Sequence, residues 1–391
     1  MNKNFHFETR AIRIQTERSR QKEHSTPIYV TSSFVFDDAE DMRASFSEEK
    51  NGNIYSRFTN PTVQELEVKI ASLEGGQEGL ATASGMAAIF TCFASFLSHG
   101  DHVLISSAVF GSTLKIAEDF LRKWGIDFDY LLPSEIGLWD SKIKPTTKMV
   151  YLETPANPTL EIIDLEEVAS IFRPKGILIV VDNCFATPYL QRPMEWGADI
   201  VIHSATKYID GQGRVLGGLI VCNRELKSHM MPFLRNAGPS MSPFNAWVLS
   251  KSIETLGVRM DRHCKNALEL SQFLEKHPKI EQVMYPFLPS FPGFSTAKKL
   301  MSQGGGMLAF RLGGGLKAGI SFIDRIRWLS ISANLGDTRT IVTHPASSTH
   351  SKLNSRQREE AGITDGLIRI SAGLEHINDL MDEISHALKD K

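Results

Sequence analysis

Two short polar clusters, each set directly after an apolar run, hold the residue types best suited to chemistry in this chain. Asp182-Asn183 follow Ile177-Leu178-Ile179-Val180-Val181, and His203-Ser204-Ala205-Thr206-Lys207 follow Ile200-Val201-Ile202. Runs apolar throughout read as strands covered on both faces, and ligands of such sheets sit at the carboxyl ends of the strands. An acid and a primary amine presented there can serve a bound heterocycle together. The amine can bond to an aldehyde carbon, and the acid can keep a ring nitrogen protonated so that the ring draws electrons from an attached carbon. Those are the two protein groups that pyridoxal 5′-phosphate needs. Taken singly, Asp182 could cap a helix and Lys207 could be a solvated surface lysine, so the pairing carries the reading.

A phosphate also asks for short hydroxyls and a helix amino terminus. Ser204 and Thr206 offer the hydroxyls, although capping or turn chemistry would explain them as well. Ser84-Gly85-Met86 opens an apolar helix through Ile89, Phe90 and Phe93, which alone is a routine N-cap. Phe110 could stack on a planar ring, where the ordinary reading of a phenylalanine is core. Asn157, in Thr154-Pro155-Ala156-Asn157-Pro158, could donate to a phenolic oxygen or simply make a turn. Arg369, embedded in Leu367-Ile368-Arg369-Ile370-Ser371, needs an anionic partner, either an internal carboxylate or the carboxylate of a substrate.

The elements that must position these residues form an α/β pattern. Val103 to Ile105, Met149 to Leu152, Ile177 to Val181, Ile200 to Ile202 and Leu219 to Val221 read as strands with helices between them, giving a mostly parallel central sheet. Ahead of them lies a polar, irregular stretch to about Glu74, with a turn at Asn60-Pro61-Thr62 that feeds a helix through Val63, Leu66 and Ile70. Beyond about Pro239 the pattern becomes α+β: one long helix from Ala246 to Leu274, short strands at Met307 to Leu312 and Leu367 to Ser371, and a closing helix from Asp379 to Leu388. The expected division is an arm over 1–60 that contacts a neighbouring subunit, a large cofactor-binding domain over 61–245 and a smaller C-terminal α+β domain over 246–391. The glycine clusters at Gly304 to Gly306 and Gly313 to Gly315 read as turns.

Composition narrows the partners. A chain of 391 residues with 42% hydrophobic and 23% charged content can bury a large core, and a net charge of −2 gives no pull toward nucleic acid or an anionic membrane. No run is long and apolar enough for a span or a secretory signal, and Cys92, Cys184, Cys222 and Cys264 show no C-x-x-C pairing, so a cytoplasmic setting without a metal site is expected. His344 and His350 lack ligand spacing to a further donor. A nicotinamide cofactor would want a G-x-G-x-x-G turn, which is missing.

In this order the motifs resemble the Cys/Met-metabolism enzymes that depend on pyridoxal phosphate. The landmarks run along nearly the whole chain: Tyr55-Ser56-Arg57, Asn60-Pro61-Thr62, Ser84-Gly85-Met86, Glu153-Thr154-Pro155-x-Asn157-Pro158, Asp182-Asn183, His203-Ser204-x-Thr206-Lys207-Tyr208 and Arg369-Ile370-Ser371-x-Gly373. The resemblance implies the fold-type I, aspartate-aminotransferase-like architecture and a homotetramer built from catalytic dimers. It implies that Lys207 carries the cofactor, that Asp182 pairs with the pyridine nitrogen, and that Ser84, Gly85, Met86, Ser204 and Thr206 hold the phosphate. Phe110 takes the ring-stacking position and Asn157 the phenolic oxygen. Tyr55 and Arg57 would reach the neighbour's phosphate, with Tyr55 assisting the lysine, while Arg369 and Asn334 would meet the substrate.

Three positions depart from the commonest pattern. Many members carry Tyr where Phe110 stands, methionine γ-lyases carry a reactive Cys where Ser112 stands, and synthases and lyases usually have Ser-Leu-Gly where Asn334-Leu335-Gly336 stand. The run from Asn334 through Thr343-His344-Pro345 to Thr349-His350 looks like the sulfhydrylase branch. That branch implies γ-replacement on O-succinylhomoserine by sulfide, giving homocysteine and succinate. Cystathionine synthesis, use of the acetyl ester, and a regulatory protein that binds the cofactor without turnover are the alternatives.

Overall fold

Each expected apolar run forms a strand in the computed structural model, which describes residues 5–351, Arg358 and 362–389. The first four residues of the expected arm, and 352–357, 359–361 and 390–391 of the expected C-terminal domain, lie outside the described residues. Seven strands make the main sheet: β1 (Glu78–Thr82), β2 (His102–Ser106), β3 (Asp127–Leu131), β4 (Thr147–Glu153), β5 (Leu178–Asp182), β6 (Ile200–Ser204) and β7 (Gly218–Cys222). Their spatial order is β1-β7-β6-β5-β4-β2-β3, with β2 to β6 mutually parallel and β7 antiparallel to both β6 and β1.

The continuous apolar runs follow from burial on both sides. Val103, Ile105, Met149, Tyr151, Val180, Ile200 and Ile202 face the helix Gly85–Phe96, where the Phe93 ring lies 5.3 Å from that of Tyr151. Their neighbours Leu104, Val150, Leu152, Ile179, Val181 and Val201 face the helix Pro61–Glu74 through Leu66 and Ile70. With a side-chain period of two, Glu153, Asp182 and Ser204 emerge on the first face, and Asn183 and His203 on the second.

A second sheet of five strands follows, in the order β10-β11-β12-β9-β8: β8 (Ile280–Met284), β9 (Met307–Leu312), β10 (Ser330–Ile331), β11 (Ile341–Thr343) and β12 (Leu367–Ser371). Leu308, Phe310, Ile368 and Ile370 pack against Leu380 and Ile384 of the closing helix Ile377–Ala387. Arg369 therefore points to the opposite side of β12.

Two sequence expectations need correction. The long helix from Ala246 to Leu274 is two helices, Pro243–Ile253 and Leu256–Leu274. Thr255 leaves helical geometry at φ −109° and ψ 7°, and the Ser252 carbonyl there accepts from Thr255 N–H, Thr255 Oγ1 and Arg259 Nη2. The stretch before Glu74 is also less irregular than its polarity suggested. It contains the helices Phe7–Arg13 and Ala39–Phe46, the second capped by Asp38, whose carboxylate accepts from Asp41 N–H at 2.8 Å. Among the described residues no helix is long and apolar enough to cross a membrane.

Candidate active site

Lys207 sits in the turn that leaves β6, and that turn is held from several directions. Its own N–H donates to the Ser204 carbonyl at 3.1 Å, and its carbonyl accepts from Gly211 N–H at 2.8 Å. The buried guanidinium of Arg259 donates to the carbonyls of Tyr208, at 2.6 Å, and Ile209, at 3.2 Å. From the other side Gly336, at φ +75°, presses so close that a Cβ there would stand 2.6 Å from Tyr208 N and 2.9 Å from the Lys207 carbonyl carbon. Only glycine meets both conditions.

The Lys207 amine donates to Asn334 Oδ1 at 2.5 Å. Burial lowers its pKa, and the charge of Arg369 pushes the same way, which favours a neutral amine able to act as nucleophile or base. Asn334, expected at the substrate, is thus brought to the lysine.

β5, which lies next to β6, and β4 beyond it both end in acids. Glu153 on β4 and Asp182 on β5 are register partners, and both are buried. Asp182 accepts from Cys184 N–H at 3.0 Å and from the Tyr151 hydroxyl at 3.3 Å. It has no ion pair among the described residues. Burial pushes its pKa up to about 6, against the opposing help of the Cys184 N–H and the nearby His203. Glu153 is also pushed well up, by burial and by the neighbouring Asp182. Its Oε2 accepts from Phe110 N–H at 2.8 Å.

On the same face lies a tight cradle. Ser84 caps the helix Gly85–Phe96 by accepting from Ala87 N–H at 3.2 Å, which occupies its side chain and leaves the first N–H groups, of Gly85 and Met86, ahead of the helix's own ladder. A Cβ on Gly85 would stand 2.7 Å from Ser204 Cβ, so the backbone closes onto the serine only because position 85 is glycine. Thr206 Oγ1 accepts from Gly217 N–H at 3.1 Å and donates to the Gly217 carbonyl at a long 3.4 Å, a weak bond that an anion could replace.

Arg369 rises from β12 toward the lysine side. It donates to Asn157 Oδ1 at 3.0 Å, to the carbonyls of Ala333 and Asn334 at 3.0 Å each, and to Thr343 Oγ1 at 3.2 Å. None of these partners is charged, its buried Nε has no hydrogen-bond partner among the described residues, and burial lowers its pKa to about 10. A carboxylate from outside the chain would satisfy it. Asn157 is drawn to this arginine.

Tyr55 and Arg57 stand apart from the cluster. The Arg57 guanidinium lies 5.4 Å from the centre of the Tyr55 ring and 4.7 Å from that of Phe58, and donates to the Arg235 carbonyl. Neither contacts Lys207 or Asp182 of the same chain.

The structure also adds partners, Glu74 and Gln191, that the sequence reading did not single out. Behind the site, His203 Nε2 pairs with Glu74 Oε2 at 2.9 Å, and Asn183 Nδ2 donates to Glu74 Oε1 at 3.2 Å and to the Gln191 carbonyl at 2.8 Å. The period-two alternation of β5 and β6 predicts that Asn183 and His203 leave the site face, but the pairing with Glu74 spans more than a hundred residues of sequence.

A phosphorylated pyridine aldehyde fits this set: a neutral-leaning amine, a buried acid without a cation, a cradle of N–H groups and hydroxyls, and an arginine with an orphan donor. The comparisons agree. An O-succinylhomoserine sulfhydrylase of Pseudomonas aeruginosa is 46% identical over 98% of this chain and 95% of its own length. An L-methionine gamma-lyase of Fusobacterium nucleatum subsp. polymorphum is 42% identical over 99% of both chains. A crystal structure of a putative O-acetylhomoserine (thiol)-lyase from Campylobacter jejuni, with N′-pyridoxyl-lysine-5′-monophosphate in its chain, superposes with a TM-score of 0.94 at 32% identity, covering 99% of this chain and 100% of that one. Residues 8–389 match the family described as Cys/Met metabolism PLP-dependent enzyme, and the chain belongs to that family of pyridoxal-phosphate enzymes of γ-elimination and γ-replacement.

Proposed function

We propose that this enzyme replaces the succinyl ester of O-succinylhomoserine with sulfide, forming homocysteine and succinate. The observation that carries the reading is what surrounds the Lys207 amine. Its hydrogen-bond partner is the Asn334 amide, which cannot give up a proton, and the position that the resemblance assigns to ring stacking holds Phe110, which has none to give. A thiolate leaving group, conjugate to a thiol of pKa about 8.5 or higher, departs well only with an acid beside it, whereas a carboxylate, of pKa about 4, leaves as a stable anion. Such a site suits an acyl ester better than methionine.

When bound, the cofactor supplies an electron-withdrawing ring that lets the substrate's Cα–H bond ionise. Lys207 Nζ, as a neutral amine, would take the proton from Cα, pass it to the conjugated system that the bound cofactor supplies, and so be neutral again to take one from Cβ, with Asn334 steering the amine. Asp182 holds the proton of the ring nitrogen, a cationic partner that returns the aspartate to its charged form. Gly85, Met86, Ser204 and Thr206 hold the phosphate, and Phe110 covers the ring. Arg369 fixes the substrate's α-carboxylate. The Cγ–O bond breaks with succinate leaving, sulfide forms the Cγ–S bond, and Lys207 returns its protons to Cβ and Cα. Tyr55 and Arg57 belong to the neighbour's site in a homotetramer of catalytic dimers, with the arm over 1–60, the large domain over 61–245 and the C-terminal domain over 246–391.

The test compares four mixtures: O-succinylhomoserine with sulfide, O-acetylhomoserine with sulfide, O-succinylhomoserine with cysteine, and methionine alone. Fastest turnover in the first, with homocysteine as product, supports the proposal. Preference for the acetyl ester replaces the substrate, cystathionine replaces the acceptor, and methanethiol from methionine at a comparable rate refutes the leaving-group argument.

A further inference from the structure

Glu153 has no part in the reaction above, yet it is buried between two residues that do. Its Oε2 accepts from Phe110 N–H at 2.8 Å, and its Cα partner across the parallel ladder is Asp182. Two residues back on β4, Tyr151 points to the same face and donates to the other carboxyl, Asp182 Oδ2, at 3.3 Å. Phe110 has little else to fix it: the residue is 47% exposed, and among the described residues its backbone bonds are the one to Glu153 and the acceptance of Thr113 N–H as the helix Gly111–Ile116 begins. Upstream, Ser107 N–H donates to the Leu131 carbonyl at the end of β3 at 2.8 Å, so the Glu153 carboxyl is what ties the Phe110 end of this segment to the end of β4.

We propose that Glu153 is a positioning residue for the cofactor, fixing the ring-covering Phe110 against the strand end that carries the ring-nitrogen partner Asp182. This rests on the assignment of Phe110 and Asp182 to the cofactor ring. The ring would then be gripped on its face and at its nitrogen by two residues that share one support. The geometry asks for an acceptor at Glu153 rather than for a charge. A neutral carboxyl suits this, because a second negative charge beside Asp182 would compete for the ring's proton.

The experiment uses the full-length enzyme stripped of and reloaded with pyridoxal phosphate, reading cofactor affinity and the circular dichroism of its visible band, which reports how rigidly the ring is held. Glu153→Leu removes the acceptor and is expected to weaken cofactor binding about tenfold, the scale of one buried N–H left unsatisfied. It should also flatten the visible dichroism. Glu153→Gln keeps an acceptor oxygen without a charge, and its affinity and dichroism should recover to within about threefold of the parent. Wild-type affinity and dichroism in Glu153→Leu would overturn the proposal. So would a Glu153→Gln variant that falls as far as Glu153→Leu, since the charge and not the hydrogen bond would then matter. Phe110→Ala and Asp182→Asn are measured alongside. If they leave binding intact the ring assignment itself fails, whereas impaired Phe110→Ala beside an intact Glu153→Leu removes only the role of Glu153.

Discussion

The strand-end cluster and the amino-terminal arm solve opposite problems. At the strand ends Glu153, Asp182, His203 and Lys207 are buried or nearly so, and each finds a hydrogen-bond partner from its own chain. Along the arm Val35 is 97% exposed and Val30 75%, and the Tyr55 and Arg57 side chains lean on each other rather than on the site. Apolar surface left that open is costly in water and is normally covered. The amine, the acid and the cradle are complete in one chain, while the cationic residue that the proposal gives to the phosphate is held away from them. On the proposed function, one chain builds the reactive half of its own site and carries the arm residues of another.

The sharpest test of the reactive half is Lys207→Ala, which should lower turnover by at least about 10³-fold and leave borohydride nothing to fix. Turnover near normal would break the comparison at its root. Next in size is Arg369→Ala, which should raise KM for the amino-acid substrate by about 30-fold, the value of a buried charge-assisted pair, with a smaller change in kcat. A kcat loss without a KM change would move Arg369 from substrate binding to scaffolding.

On the arm, Arg57→Ala should weaken cofactor retention by about tenfold. Mixing and reassociating it with Lys207→Ala should restore activity, because one hybrid site then combines an intact lysine with an intact arginine. Absence of recovery would mean that the arm serves its own chain. The smallest effect concerns pH. Burial raises the Asp182 pKa to about 6 in the folded protein, against about 3.9 unfolded, so the fold binds the extra proton. Its contribution is present below about pH 4 and lost as pH rises through about 6. The melting temperature of the cofactor-free protein relative to Asp182→Asn should fall by a few degrees across that window. Bound cofactor should remove the trend by supplying a cation, and a trend that survives loading would separate Asp182 from the ring.

How much of this was legible in the sequence depended on where a residue's partners lie. β2, β4, β5, β6 and β7 could be read because their buried neighbours on both faces demand unbroken apolar runs. β3, Asp127-Phe128-Asp129-Tyr130-Leu131, is an edge strand whose polar alternation hides it, and β1 contains Glu78 and Gly79. The acid and amine of the site stood out because strand ends follow those runs. Glu153 ended one as well, but its value rests on a hydrogen bond to Phe110, 43 residues away. Asn334 and Arg259 reach the lysine from 127 residues away and its turn from about 50, distances that only the packing of the second sheet and the long helix closes.

The pinned turn around Lys207 sets the mechanics of the proposed reaction. With Arg259 on its carbonyls and Gly336 against its backbone, the main chain at 207 has nowhere to travel when the amine lets go of one partner and takes another. The whole stroke must come from rotation about the bonds of the four-carbon stem, which behaves as a lever on a fixed pivot. Its reach bounds the atoms it can serve, Cα and Cβ lying within one arc, and a change that loosened the pivot would blur that arc without touching any group that handles a proton.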